Sequence, residues 1–425
     1  GGDFTVDQNG GFAPASSPAH GRCIEILHSG LFVPLYLLDK GCKIEFPLVF
    51  AHQLFADTAG VHHILPHPTQ RLNIFLVGFR HVEAVEALCA AAVQPGSHAY
   101  QSYVGLPELR QAFADWYSRW YGVQLEASKE IQPLVGSKEG ILLISLAFLN
   151  KGDKVLVPDP GYPTYSSASK LVEAEIVTYD LAEENQWWPD FDALEQMDLS
   201  GVKIMWTNYP NMPTGAPASE DLYSRLVDFG RRHGILICND NPYSFILNDK
   251  PLSILSVPGA KDCCLELNSL SKAHNMAGWR IGMVAAEPDV IREILKVKSQ
   301  MDSGMFKPLQ LAAVQALAQG PEWFAALNEE YRRRRVLAGE IFDMLGVEYD
   351  HDSTGMFLWG RTGSVSGQQL SDRILYEAGV FITPGFIFGK NGERYIRISL
   401  CAKPQVLKRA AEKIRNAGIG ISQYL

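Results

Sequence analysis

Ser269 to Gly282 reads S-L-S-K-A-H-N-M-A-G-W-R-I-G. Lys272 follows the apolar, strand-like run Cys264 to Leu270, and Arg280 stands further on between Gly278 and Gly282. Solvated cations usually keep Asp or Glu beside them, yet Ala, His, Asn, Met, Gly and Trp separate these two, so the pair is aimed at something bound. An ammonium in apolar surroundings gives up its proton readily, and the neutral amine attacks carbonyls to form Schiff bases. A guanidinium suits a phosphate. The stretch therefore asks for one small molecule that carries both a carbonyl and a phosphate. The plain alternative is a strand-loop-strand with two exposed cations.

The spaced pattern S-x-S-K-x-x-x-x-x-G-x-R-x-G resembles the cofactor-lysine signature of class I and II aminotransferases, fold-type I enzymes that use pyridoxal 5'-phosphate (PLP). The resemblance implies Lys272 as the covalent anchor of the cofactor and as catalytic base and acid. It makes Ser269, Ser271 and Arg280 cofactor-binding residues, with the guanidinium suited to the phosphate.

Working outward, Ile131 to Val135 is strand-like and runs through G-S-K-E-G into an apolar helix, Ile141 to Phe148. A strand, a tight turn and a helix start gather free backbone N–H groups and the positive end of the helix dipole at one spot, so Gly136, Ser137 and Lys138 are phosphate candidates. The strand Lys154 to Pro158 ends in D-P-G-Y-P-T-Y. Tyr162 there either lies against a flat heterocycle, as the resemblance implies, or serves the turn. Ile235 to Cys238 ends in N-D-N-P-Y, where Asp240 can hold a proton on a pyridine nitrogen and Tyr243 can reach the neighbouring ring oxygen. In Y-I-R-I-S-L, Arg397 interrupts an apolar strand. The resemblance makes it the fork for the substrate α-carboxylate; a structural ion pair is the other reading.

Two further elements carry the resemblance. S-H-A-Y-Q-S-Y-V-G-L-P-E-L-R is similar to the family's Y-x-x-x-x-G-L-x-x-L-R, in which the first tyrosine, here Tyr100, reaches the phosphate of the neighbouring subunit; a local aromatic staple is the alternative. T-N-Y-P-N-M-P-T-G is similar to N-P-x-N-P-T-G, with one departure. The asparagine before P-T-G that meets the cofactor's phenolic oxygen is Met212 here, and Asn211 lies one place early. The match covers about Glu86 to the C-terminus. G-S-K-E-G, P-D-P-G-Y-P and N-Y-P-N-x-P-T-G-A are most similar to LL-diaminopimelate aminotransferases and their bacterial relatives.

The 425 residues exceed one ordinary domain, and 47% apolar content supplies a core. With 38 basic against 47 acidic residues, the net charge of −9 argues against a nucleic-acid surface and for small-molecule chemistry. Seven cysteines with no C-x-x-C indicate neither a zinc site nor a disulfide framework, and a cytoplasmic setting is expected. Pro34 interrupts the run Leu31 to Leu38 and no basic region precedes it, so neither a membrane span nor a leader is expected. His62, His63 and His67 lack ligand-spaced partners, so no metal site is expected. Upstream of Glu86, where relatives carry a glycine-containing lid, only Gly78 remains of that loop.

The expected fold is α/β of fold type I. Residues 1–95 form an N-terminal segment that joins the small domain, 96–319 a large PLP-binding domain with a mixed, mostly parallel sheet between helices, and 320–425 a smaller α/β domain. The expected activity moves an amino group between an L-amino acid and a 2-oxo acid, in a homodimer with shared active sites. A PLP-dependent carbon–sulfur β-lyase and a PLP-binding protein with impaired catalysis are the alternatives.

Overall fold

The computed structural model describes residues 25–26 and 81–419. The readings on His62, His63, His67 and Gly78 lie outside the described residues. The elements in chain order begin with β1 (Glu25–Ile26), α1 (Val82–Ala92), α2 (Pro107–Tyr121), β2 (Ile131–Leu134), α3 (Ser137–Phe148), β3 (Lys154–Asp159), α4 (Pro163–Leu171) and β4 (Glu175–Asp180). Next come α5 (Phe191–Glu195), β5 (Val202–Thr207), α6 (Glu220–His233), β6 (Leu236–Asp240), β7 (Cys264–Ser269), α7 (Leu270–Ala273), β8 (Gly282–Ala285), α8 (Pro288–Lys298), α9 (Lys307–Leu317) and α10 (Pro321–Leu345). The last are β9 (Glu348–Tyr349), β10 (Phe357–Arg361), α11 (Gly367–Arg373), β11 (Val380–Phe381), β12 (Thr383–Pro384), β13 (Tyr395–Ser399) and α12 (Pro404–Ala417).

The described residues divide into two compact units: 81–332 with 352–356, and 333–351 with 357–419 and β1. The larger holds a seven-stranded sheet in the order β2-β8-β7-β6-β5-β3-β4. The β4, β3, β5, β6 and β7 neighbours run parallel, while β8 is antiparallel to both β7 and β2. Parallel strands need helical crossovers, which cover both faces, so the strands read as continuous apolar runs. Their alternate residues divide between two cores. Leu156, Met205, Ile237, Cys264 and Met283 face one with Phe113, Tyr117, Leu226 and Ala313. Val155, Val157, Ile204, Trp206, Cys238, Leu265 and Val284 face the other with Ile141, Ile144, Tyr165 and Ile294. This is a three-layer α/β domain with ligand-ready strand ends along its C-terminal edge.

Local signals set the helix limits. Pro107 opens α2 and Gly122, at φ 68°, closes it; Ser219 caps α6 by accepting from Leu222 N, and Gly234 ends it. The smaller unit carries the antiparallel sheet β12-β13-β10-β9, and β1 pairs in parallel with β11. The expected strands stand within a few residues of these limits. The helix expected from Ile141 begins earlier, at Ser137, so the whole G-S-K-E-G turn sits on its first turn.

Candidate active site

β6 ends at Asp240, β7 ends at Ser269, and the chain passes directly from Ser269 into α7, which carries Lys272. β6 and β7 are paired neighbours, so the acid and the lysine leave adjacent strands at the same sheet edge. Lys272 is half-buried.

Asp240 is 5% exposed. Its Oδ2 accepts a hydrogen bond from Tyr165 Oη at 3.1 Å, and its Oδ1 has no hydrogen-bond partner. Burial pushes this carboxyl up to about 7, and the charge of Glu266 adds to the rise; the Tyr165 bond and Lys272 oppose it. The group is thus poised to share a proton with a base delivered to Oδ1. Tyr243, in the turn after β6, is buried.

The β2–α3 turn faces the segment beyond Lys272. Arg280 holds φ 54°, uncommon for a non-glycine residue, and its Nη1 donates to Ala277 O at 2.8 Å and to Ser271 Oγ at 3.4 Å. Its guanidinium folds over the start of α3: a Cβ on Gly136 would lie 2.2 Å from Arg280 Nη2. A Cβ on Gly282 would lie 2.7 Å from Ser137 N, so β8 also needs glycine to admit the turn. Gly136, Ser137, Lys138, Ser271 and Arg280 are therefore one cluster: helix-start N–H groups, a hydroxyl and a guanidinium. The chemistry of that set suits an oxyanion. Ser269 is buried at the end of β7, and its backbone N–H donates to Asn268 Oδ1 at 2.8 Å.

Tyr162, half-buried, meets Tyr165 edge-on with ring centres 5.5 Å apart. Tyr165 stacks on Trp206 at 5.0 Å with planes 5° apart. Asn211 is bound within its own turn: Nδ2 donates to Asn208 O at 3.1 Å, and Oδ1 accepts from Thr214 Oγ1 at 2.8 Å. Met212 is 4% exposed, and its N–H donates to Asn208 Oδ1 at 2.8 Å. Tyr100 is 90% exposed, so it is no staple packed on its own helix.

Arg397 belongs to the smaller unit, on β13 opposite Trp359 and Thr383. It is 5% exposed, with its guanidinium carbon 4.1 Å from the centre of the Phe357 ring and 4.5 Å from that of Phe388. Cation–π contact with two rings contributes to its tolerance in an apolar strand.

Two residues that the sequence reading did not single out join the site. Tyr165, three positions after Tyr162, is the partner of Asp240; Asn208, at the end of β5, donates its Nδ2 to Asp240 O at 2.5 Å. Position at a strand end was the available signal for Asn208. Among the described residues no cluster of His, Cys, Asp or Glu could hold a metal ion, and no helix is long and apolar enough to cross a membrane.

The chain matches the family model "Aminotransferase class I and II" over residues 75–414, beginning somewhat ahead of Glu86. It is 41% identical over 335 residues to an LL-diaminopimelate aminotransferase of Aquifex aeolicus, covering 78% of this chain and 87% of that protein. A protein described in the same words from Natranaerobius thermophilus is 41% identical over 321 residues, covering 75% and 83%. Among solved structures, apo-BacF of Bacillus subtilis superposes with a TM-score of 0.77 at 32% identity, covering 89% of this chain and 99% of that one. An aminotransferase from Staphylococcus aureus gives 0.74 at 28% identity, covering 79% and 90%. With the family matched across most of its length and the strand-edge lysine, acid and anion turn in one place, the chain belongs to the class I and II aminotransferases.

Proposed function

We propose that this aminotransferase works with pyridoxal 5'-phosphate seated at the C-terminal edge of the large sheet, and that it takes LL-diaminopimelate or a related amino acid as donor and 2-oxoglutarate as acceptor. The observation that carries the cofactor reading is Asp240 Oδ1, buried and without a hydrogen-bond partner at a strand end, where a protonated ring nitrogen would satisfy it. The oxyanion cluster at the start of α3 fits the phosphate. The names of the relatives support the substrate reading.

When bound, pyridoxal phosphate supplies a sink for the electrons left when the substrate Cα–H bond breaks. Lys272 Nζ would hold the cofactor covalently, then take the proton from Cα and return it on the other side of the transfer. Asp240 Oδ1 would hold the ring-nitrogen proton, with Oδ2 steadied by Tyr165. Tyr243 would donate at the phenolic oxygen, and Tyr162 would contact the ring. Gly136, Ser137, Lys138, Ser269, Ser271 and Arg280 would hold the cofactor, the guanidinium at its phosphate, and Asn211 shapes its own turn. Arg397 fixes the substrate α-carboxylate.

We assign a homodimer in which Tyr100 serves the partner's phosphate. Its exposure and that of Val82, Val85, Val93, Tyr103 and Phe306 support a covered face. The cysteine pattern supports a reducing, cytoplasmic setting. The carbon–sulfur lyase draws no support from the relatives.

The test is reduction with borohydride in the presence of PLP, followed by peptide mapping. The pyridoxyl group is expected on Lys272, and Lys272→Ala should abolish transfer from LL-diaminopimelate to 2-oxoglutarate; a label on another lysine overturns the assignment. Absorbance changes on adding individual amino acids identify the donor.

A further inference from the structure

A carboxylate stands in the first turn of the helix that receives the phosphate. Glu139 Oε2 accepts the backbone N–H of Val135 at 2.7 Å, so it fastens the β2–α3 turn across Gly136. An unbalanced negative charge there would repel a phosphate dianion and compete for the N–H groups that bind it. The balance comes from the last residue of α8. Lys298 has a side chain 1% exposed, and its Nζ lies 3.4 Å from each oxygen of Glu139 and in contact with Asp302 Oδ2. Buried lysines are rare and costly, and one between two carboxylates needs a reason to be there. Asp302 in turn accepts from Gly304 N at 2.9 Å, and Gly304 packs so closely on Gln101 O that a Cβ would lie 2.3 Å from it. The ion group therefore ties the phosphate turn to the stretch next to Tyr100.

We propose that Lys298 is a positioning residue for cofactor binding: shared between Glu139 and Asp302, it offsets part of their negative charge and draws the Glu139 carboxylate away from the anion, while leaving Glu139 free to clamp Val135. The inference rests on the phosphate reading of the α3 turn. Glu139 acts through its acceptor oxygen and Lys298 through its charge, so the two are separable.

The experiment measures PLP affinity by absorbance, together with the thermal shift that inorganic phosphate gives the PLP-free protein. Lys298→Met is expected to weaken PLP binding about tenfold or more and to lose the phosphate shift. Glu139→Gln, which keeps an acceptor for Val135 N–H, is expected to bind within about threefold of wild type, while Glu139→Ala loosens the turn and binds about tenfold more weakly. The double variant Glu139→Gln/Lys298→Met is expected to recover to within about threefold of Glu139→Gln, a rescue that a merely structural lysine would not give. Equal binding by wild type and Lys298→Met overturns the inference alone, as does a double variant no better than Lys298→Met. If Lys298→Met does not fold, the double variant decides: folding and binding like Glu139→Gln support charge cancellation, and failure to bind overturns it. A wild-type protein that binds no PLP overturns the phosphate reading and this inference with it.

Discussion

Asp240 holds one oxygen to Tyr165 and the other to nothing in the protein, at the cost of a carboxyl buried without full compensation. Its folded value of about 7 lies above the ordinary 3.8. Between those two values the unfolded chain has released a proton that the folded chain keeps, so the PLP-free protein loses stability as pH rises through that window. Asp240→Asn removes the titration. Urea unfolding of the PLP-free forms should show the stability difference moving in the variant's favour, on the order of a few kcal/mol, from pH 4 to pH 8. Transfer activity should fall about a hundredfold or more. At this scale Lys272, Asp240 and Arg280 were legible because charge at a strand end is conspicuous. Tyr165 and Asn208 were not: both bond to Asp240, 75 and 32 residues further along the chain, and neither type is unusual near a turn.

Secondary-structure elements show where backbone geometry decides binding. Gly136 combines φ 79° with a side-chain position already filled by Arg280. Gly136→Ala should weaken PLP binding about tenfold or more by pushing Arg280 off the turn. Gly122→Ala is the control: its φ of 68° carries comparable strain, but nothing lies within 4 Å of its Cβ position, so stability should fall while PLP affinity is kept. Equal loss of affinity in both would show that strain, not the displaced guanidinium, is responsible. The strands β2, β3, β6 and β7 were legible as apolar runs because both their faces are buried. β4 was not, since it is an edge strand and most of its residues are partly or fully exposed. α6 and α12 have clear apolar faces but carry none of the site motifs, so a reading led by those motifs passes over them.

For the whole molecule, acid sensitivity has an identifiable source. His274 is 1% exposed, neither ring nitrogen has a hydrogen-bond partner, and Trp116, Phe324 and His81 surround it. Burial lowers its value to about 3, with the neighbouring His81 contributing. The unfolded chain therefore binds a proton below its ordinary 6.5 that the folded chain refuses, and stability is lost as pH falls from there toward 3. His274→Phe should reduce the stability lost between pH 7.5 and pH 4.5 by about 2 kcal/mol, read from urea midpoints at the two pH values. An unchanged difference would place the acid sensitivity in the carboxylates.

The antiparallel pairing of β2 with β8 governs when the site can exist. Leu134 faces Gly282 across that ladder, and the oxyanion turn leans on Gly282 itself. On the ribosome, the first strand of the site emerges early but must wait, its edge unpaired, until nearly all the larger unit has been synthesised. Closing so long a loop is entropically slow, and the contacts that reward it arrive together with Lys272. A nascent chain halted before β8 thus holds β2 and the start of α3 without the glycine they lean on, and the turn is completed only late in synthesis.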